Sequence, residues 1–425
     1  MKWIVRKSSL AGSIDIPASK SHTIRSLAVA TLAKGKSRIS NALTTGDGAS
    51  AISAARSMGA NVKILDHEVL VTGIAGDFNA GLDTFAMENS GTSTNLFASI
   101  AALGSRRRRF DGDESLRTRP FKPVLEALGN LGVKFGFDRQ GSDLPFWVQG
   151  PLFGGTTVVN GFSSQFVSSL LFACPCASSD TVFAVENLHE RPYVEMTLRW
   201  LDMLGIRYEA SVDLCRFRVR GGQSYRSIQY TVPGDFSSAT FAAVAAPLVG
   251  ANLELRGIDF GDSQGDKGVF DVISRMGAGI AKQAFSATVD GRAGIHGVEI
   301  DLNAMPDALP ALSVLACKAE GETAIVNVAQ ARIKETDRIT VMAAELAAMG
   351  ADVRERPDGL VIRTSKLKGA NVNGHGDHRI VMALALAGMI ADGETVIDTA
   401  EAAAVTYPSF VKSFQSLGAN IKVVD

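Results

Sequence analysis

Met203-Leu204-Gly205-Ile206-Arg207-Tyr208 closes an apolar helical run and opens a strand. The same pattern recurs as Ser57-Met58-Gly59-Ala60-Asn61-Val62, Asn130-Leu131-Gly132-Val133-Lys134-Phe135 and Arg275-Met276-Gly277-Ala278-Gly279-Ile280. It returns as Ala348-Met349-Gly350-Ala351-Asp352-Val353 and Ser416-Leu417-Gly418-Ala419-Asn420-Ile421. The six glycines are 73, 73, 72, 73 and 68 residues apart, a regularity that marks internal repetition. A glycine between a helix and a strand suits a left-handed residue just past the helix end. Each period holds a second helical pattern as well, for example Ser21 to Ala33, with Ile24, Leu27, Ala28 and Leu32 at apolar positions. Residues 164 to 173 and 237 to 249 carry others. Two helices and several strands per period exceed a solenoid repeat and fit a small α/β subdomain used six times. A chain of 425 residues then divides naturally into two domains of three copies.

Composition narrows the function classes. Hydrophobic residues make up 46% and charged residues 20%, as in ordinary globular proteins, and the net charge of −1 gives no reason to expect nucleic-acid or acidic-membrane binding. The basic run Arg106 to Arg109 reads as a solvated patch. Cys174, Cys176, Cys215 and Cys317 match neither a zinc pattern nor a disulfide framework and fit a reducing compartment. Cys174-Pro175-Cys176 lies in an apolar run and reads as core. The six histidines are scattered, with His375 and His378 the only close pair and no H-E-x-x-H around them, so no metal site is expected. The opening Met1-Lys2-Trp3-Ile4-Val5-Arg6-Lys7 reads as a strand and not as a leader. No uncharged apolar stretch is long enough to span a bilayer, and the cytoplasm is the simplest location.

Chemistry-bearing motifs gather at helix starts. Pro17-Ala18-Ser19-Lys20-Ser21-His22-Thr23-Ile24-Arg25 sets hydroxyls and two cations before an apolar helix, where free N–H groups and the dipole favour anions. It lacks the spacing of a Walker loop. Asn89-Ser90-Gly91-Thr92-Ser93-Thr94 is a small-residue turn ahead of a helix expected from Leu96 to Leu103. Asp113-Glu114-Ser115-Leu116-Arg117-Thr118-Arg119-Pro120 puts an arginine before a proline expected at the first helical position. Ser163-Ser164-Gln165 and Pro233-Gly234-Asp235-Phe236-Ser237-Ser238 repeat the polar-cap theme. Met305-Pro306-Asp307 and Gly376-Asp377-His378-Arg379 place a carboxylate and a cation at further helix starts. Each could be a plain cap; together they describe a place that collects anionic groups, with Asp307 and Glu335 as acid/base candidates.

Arg332-Ile333-Lys334-Glu335-Thr336-Asp337-Arg338 is the densest of these motifs. Opening a helix, it would put Lys334 and Arg338 on one face and turn Glu335 about 100° away. That suits cations for an anionic substrate with a carboxylate for proton transfer. The same residues also suit a charged helix start on the surface.

These segments, in this order and over nearly the whole chain, resemble the 5-enolpyruvylshikimate-3-phosphate (EPSP) synthase family, the 3-phosphoshikimate 1-carboxyvinyltransferases. The most specific are Asn89-Ser90-Gly91-Thr92, Leu116-Arg117-Thr118-Arg119-Pro120, Ser163-Ser164-Gln165, Arg332 to Arg338 and Asp377-His378-Arg379. The resemblance implies an α/β fold of two lobes, each of three βαβαββ units. One lobe would comprise residues 1–18 plus 234–425 and the other 19–233, with the active site in the cleft between them and lobe closure on binding. It implies transfer of the enolpyruvyl group of phosphoenolpyruvate to the 5-hydroxyl of shikimate 3-phosphate, in the shikimate pathway to chorismate and the aromatic amino acids. It implies no cofactor, a monomer, and small-molecule substrates as the only partners.

By the same resemblance Asp307, Glu335 and Lys20 are catalytic. Lys20, Ser21, Arg25, Ser163, Ser164, Gln165, Tyr193, Asp307, Gln330 and Lys334 would bind shikimate 3-phosphate. Lys20, Asn89, Gly91, Thr92, Arg119, Gln165, Arg338, His378 and Arg379 would bind phosphoenolpyruvate. Asp307 would accept the 5-hydroxyl proton and Glu335 would move the proton at the enol methylene. Arg332 and Asp337 are expected to be structural. The chain departs from the common pattern at Asn95, where many relatives have Arg, and at Glu190, where a Ser is usual. Gln330 replaces a frequent Asn, and Val405 replaces a Lys found in some relatives. In the family, glyphosate competes with phosphoenolpyruvate. A UDP-N-acetylglucosamine enolpyruvyl transferase would share the sixfold architecture, but residues 104 to 120 contain none of the reactive loop cysteine typical of that family. A non-catalytic phosphometabolite binder is countered by the presence of both Asp307 and Glu335.

Overall fold

The six glycines close six helices in the same way. A computed structural model describes residues 1–66 and 68–424. Gly59, Gly132, Gly205, Gly277, Gly350 and Gly418 all have positive φ, from 70° to 120°. Each donates its N–H to the carbonyl three residues back at 2.9 to 3.1 Å, and the next residue donates to the carbonyl five back at 2.9 to 3.2 Å. That pair of bonds is a Schellman motif, which satisfies the last carbonyls of the helix and turns the chain into the following strand.

The turn fixes what surrounds it. The described residues form six four-stranded sheets, each with one parallel pair at an edge followed by two antiparallel pairs. One copy runs Gly155–Asn160, helix Ser164–Ala173, Thr181–Glu186, helix Arg191–Leu204, Tyr208–Ala210 and Arg216–Val219, which is βαβαββ. The parallel edge pair needs a crossover, and the first helix of the copy supplies it.

Two compact units divide these sheets, three in each: Ala18–Val232, and Met1–Pro17 with Pro233–Asp425. In the first unit, Gln229–Thr231 returns to pair in parallel with Lys36–Ser40 and completes the first copy. In the second, Lys2–Arg6 lies between Glu394–Asp398 and Asn420–Val424, and Gly12–Asp15 pairs in parallel with Asn252–Arg256.

The first helix of each copy is the inner one. Helix Phe236–Val249 is buried at every residue through Leu248, and helix His378–Gly388 along its full length. Such helices are apolar all round because neighbours cover every face, whereas Arg191–Leu204 and Phe410–Leu417 bury one stripe. Each unit has its own apolar core around its three inner helices.

Several expectations need correction. Arg108 is fully buried: strand Arg108–Asp111 alternates faces, and the Arg108 guanidinium donates to the Phe78 and Ala80 carbonyls, so the basic run is not wholly solvated. Arg107 lies over the Trp147 ring at 3.9 Å. Pro120 is not the first residue of a helix. The helix is Lys122–Asn130 with Pro123 in its first turn, and Asp143 Oδ2 receives the Phe121 and Lys122 N–H groups at 2.8 Å. The turn at residue 89 leads into helix Gly91–Ala101, five residues earlier than the apolar run suggested, because Ser90 caps it.

Candidate active site

Helix starts carry the candidate residues in both units. In the unit Ala18–Val232, Ser19, Ser90 and Ser163 cap helices Lys20–Leu32, Gly91–Ala101 and Ser164–Ala173, accepting the N–H groups of His22, Ser93 and Gln165. Each such terminus holds unsatisfied N–H groups and the positive end of a helix dipole.

Side-chain contacts tie these termini together. Asn95 Nδ2 donates to Gln165 Oε1 at 3.0 Å and to the Gly91 carbonyl at 3.0 Å. A Cβ on Gly91 would stand 3.0 Å from Arg119 Nη1 and 3.5 Å from Gln165 Oε1, so a side chain there would push into that corner. Arg119 donates to Asn89 Oδ1 and, at 3.3 Å, to Ser115 Oγ, while Asn89 Nδ2 donates to Asp113 at 2.7 Å. Asp113 also caps the short helix Glu114–Arg117.

Lys20 and Arg25 lie on one inner helix. Lys20 Nζ is 3.2 Å from Asp47 Oδ2, and both side chains are largely buried. Arg25 is 2% exposed, and its guanidinium donates to Thr197 Oγ1, Ser168 Oγ, the Tyr193 carbonyl and the Ser21 carbonyl at 3.0 to 3.3 Å. Asp47, Thr197 and Ser168 were not singled out from sequence. They hold the cations in place from other helices, a role that no local motif announces.

In the other unit, Arg332 to Arg338 does not open as one helix. A 3₁₀ turn, Ala329–Ile333, ends at Lys334, whose φ of −86° and ψ of −146° leave the helical region, and the α-helix begins at Arg338. Asp337 stops the helix from starting earlier: its side chain caps it, accepting from Thr340 N–H at 3.1 Å. Lys334 and Arg338 therefore do not share a helical face. Arg332 latches the turn, reaching Asp337 at 2.7 Å, Glu355 at 2.9 Å and the Pro357 carbonyl at 2.8 Å.

Arg338 is fully buried among three carboxylates. Nε and Nη2 grip Asp377 at 2.8 and 3.2 Å, Nη2 also meets Glu335 Oε2 at 2.6 Å, and Nη1 meets Asp307 Oδ1 at 2.7 Å. Burial alone would lower the Arg338 pKa, but Asp377, Glu335 and Asp307 outweigh it and raise it. Burial by itself would push Asp377 up, yet the charge of Arg338 holds it below the usual carboxylate value. Asp377 also caps helix His378–Gly388, accepting the Arg379 N–H at 2.9 Å, and Thr336 Oγ1 donates to it at 3.1 Å.

Asp307, in the 3₁₀ turn Pro306–Ala308, joins a second guanidinium. Its Oδ2 receives Arg379 Nη2 at 2.7 Å. Arg379 is buried, yet its Nε and Nη1 have no hydrogen-bond partner among the described residues. His378 is 1% exposed, and Gln330, also 1% exposed, donates to the Asn303 carbonyl at 3.0 Å. The result is a group of oriented carboxylates and cations at helix starts, suited to holding an anion and moving a proton. Among the described residues no group of three or more His, Cys, Asp or Glu is placed to hold a metal, and no helix is long and apolar enough to cross a membrane.

Comparison with known proteins gives this geometry its context. Residues 4–414 match the family model for EPSP synthase (3-phosphoshikimate 1-carboxyvinyltransferase). A 3-phosphoshikimate 1-carboxyvinyltransferase of Acetivibrio thermocellus is 48% identical, with 99% of each chain covered. One from Methanocella arvoryzae is 41% identical, again over 99% of each. The solved structure of EPSP synthase from Acinetobacter baumannii superposes with a TM-score of 0.84 at 26% identity, covering 100% of both chains. Six βαβαββ copies bearing this set of helix-start residues define an enzyme of the transferase class. Within that class, the chain belongs to the EPSP synthase family.

Proposed function

We propose that the protein transfers the enolpyruvyl group of phosphoenolpyruvate to the 5-hydroxyl of shikimate 3-phosphate, giving 5-enolpyruvylshikimate 3-phosphate and inorganic phosphate. Family membership over almost the whole chain supports the reaction. The observation that carries the site reading is Arg379, a buried guanidinium anchored on Asp307 with two N–H-bearing nitrogens unpartnered among the described residues. An unmade hydrogen bond on a buried charged donor is costly, and an anionic ligand removes that cost.

In this reading Arg379, Arg338, Arg119 and the Asn89–Thr92 turn hold phosphoenolpyruvate, with His378 beside them. Ser21, Arg25, Ser163, Ser164, Gln165, Tyr193, Gln330 and Lys334 hold shikimate 3-phosphate, and Lys20 serves both. Asp307 takes the 5-hydroxyl proton as that oxygen attacks the enol carbon. Glu335 gives a proton to the methylene carbon, forming the tetrahedral adduct. It takes one back as phosphate leaves and the double bond returns. Arg338 holds both carboxyl groups in orientation. No step needs a metal or cofactor. A cytoplasmic monomer is part of the same proposal.

The test is phosphate release by purified protein supplied with shikimate 3-phosphate and phosphoenolpyruvate. Release that requires both substrates is expected. No release, together with turnover on UDP-N-acetylglucosamine and phosphoenolpyruvate, would overturn the reading.

A further inference from the structure

Glu190 directs a carboxylate at a hydroxyl that the proposed function gives to the substrate. The residue precedes helix Arg191–Leu204 with φ 54° and ψ 40°, a left-handed backbone disfavoured for a side chain with a Cβ. It makes no side-chain cap for its own helix. Its carboxylate lies instead at the start of helix Ser164–Ala173, where Oε2 accepts from Ser164 Oγ at 2.7 Å and from Ser164 N–H at 3.3 Å. Glu190 is 2% exposed and Ser164 is also 2% exposed. A hydroxyl and an N–H at the positive end of a ten-residue helix are the donors a phosphoryl oxygen would use, and here they serve a carboxylate.

We propose that Glu190 determines the affinity for shikimate 3-phosphate by competing with its phosphoryl group for Ser164. The inference rests on the assignment of Ser163 and Ser164 to that substrate. The single Ser164 hydroxyl proton cannot serve both acceptors at full strength. A phosphate monoester carries a charge of about −1.5 to −2 near neutral pH, and a carboxylate beside it in a poorly solvated site repels it. Binding therefore turns the hydroxyl away from Glu190 and places like charges close together. Both effects oppose shikimate 3-phosphate specifically. Glu190 acts on the substrate through Ser164 and charge, as a specificity-determining residue and not as an acid or base.

Two variants test this. Glu190→Gln keeps the size and an acceptor oxygen but removes the charge. Glu190→Asn tolerates the left-handed backbone and removes the reach to Ser164 as well. Calorimetric binding of shikimate 3-phosphate and its KM are measured beside the KM for phosphoenolpyruvate. Both variants should bind shikimate 3-phosphate about tenfold tighter, with the phosphoenolpyruvate KM within about twofold of the parent. Unchanged or weaker shikimate 3-phosphate binding in folded variants overturns the proposal. Ser164→Ala separates this from the underlying assignment: it should weaken shikimate 3-phosphate binding, and if it does not, Ser164 is not a substrate contact. Weakening in Ser164→Ala together with no change in Glu190→Gln refutes the competition alone.

Discussion

Glu335 and Arg338 are three residues apart and joined at 2.6 Å, and this contact gives Glu335 both a direction and a partner. An amide in its place keeps an acceptor for Arg338 and cannot exchange a proton with carbon. Glu335→Gln should therefore lower kcat by about 10²- to 10⁴-fold, the usual worth of a general acid/base, with both KM values within about threefold. An undiminished kcat would remove Glu335 from the mechanism. Much of this cluster was legible in the sequence as residue types at helix starts: Asp307, Glu335, Arg338 and Arg379 all belong to motifs visible in the chain. Their partnerships were not. Asp377 grips Arg338 across 39 positions of sequence and Glu190 reaches Ser164 across 26, and no periodicity encodes such pairs. The expected helical face shared by Lys334 and Arg338 failed for a local reason. Asp337 is a better cap than interior residue, and it delays the helix until Arg338.

Secondary elements were readable where backbone chemistry dictates them. Each Met-Gly or Leu-Gly step ends a helix because glycine alone enters the left-handed region freely, and an apolar residue before it packs beneath the last turn. Boundaries at polar caps were less legible. Serine at residue 90 starts its helix among small residues that look like a loop, and Pro120 mimics the helix-opening proline that is in fact Pro123. Gly205 tests the backbone argument cleanly. Its φ is 70°, and a Cβ there would meet nothing within 4 Å, so alanine adds conformational strain without a clash. Gly205→Ala should destabilise the unit by about 1 kcal/mol in urea denaturation, and Gly205→Asn by less, since asparagine tolerates this region better. Equal stability of the glycine and alanine forms would mean that the left-handed turn is not what glycine supplies at this position.

At the scale of the molecule the repeat is visible in the sequence but its closure is not. Six spaced glycines show six copies; they do not show that the first copy borrows its edge strand from residues 229–231, or that the last copy takes a central strand from residues 2–6. Those exchanges make the two units unequal as chains. Ala18–Val232 is one continuous segment with its own core and three complete sheets. Within it Gln229–Thr231 pairs with Arg38–Ser40, and the Tyr230 ring packs on Trp200 with centroids 4.5 Å apart. The other unit needs two segments. Without residues 1–17, residues 233–425 lose Lys2–Arg6 from between two hydrogen-bonded neighbours, exposing both ladders and the buried Trp3 and Val5 positions. They also lose the parallel partner of Asn252–Arg256. An internal strand removed from a four-stranded sheet leaves two edges with unpaired N–H and C=O groups over an open core, a penalty that a marginally stable unit does not survive. Residues 18–232 expressed alone should therefore give a single cooperative urea transition and dispersed amide spectra, and residues 233–425 alone should give neither. Adding a peptide of residues 1–17 to the latter should restore part of its structure by filling the missing strands. A cooperative transition in residues 233–425 without that peptide would show that the N-terminal strands are dispensable, and a non-cooperative 18–232 fragment would show that its core and three sheets are insufficient on their own.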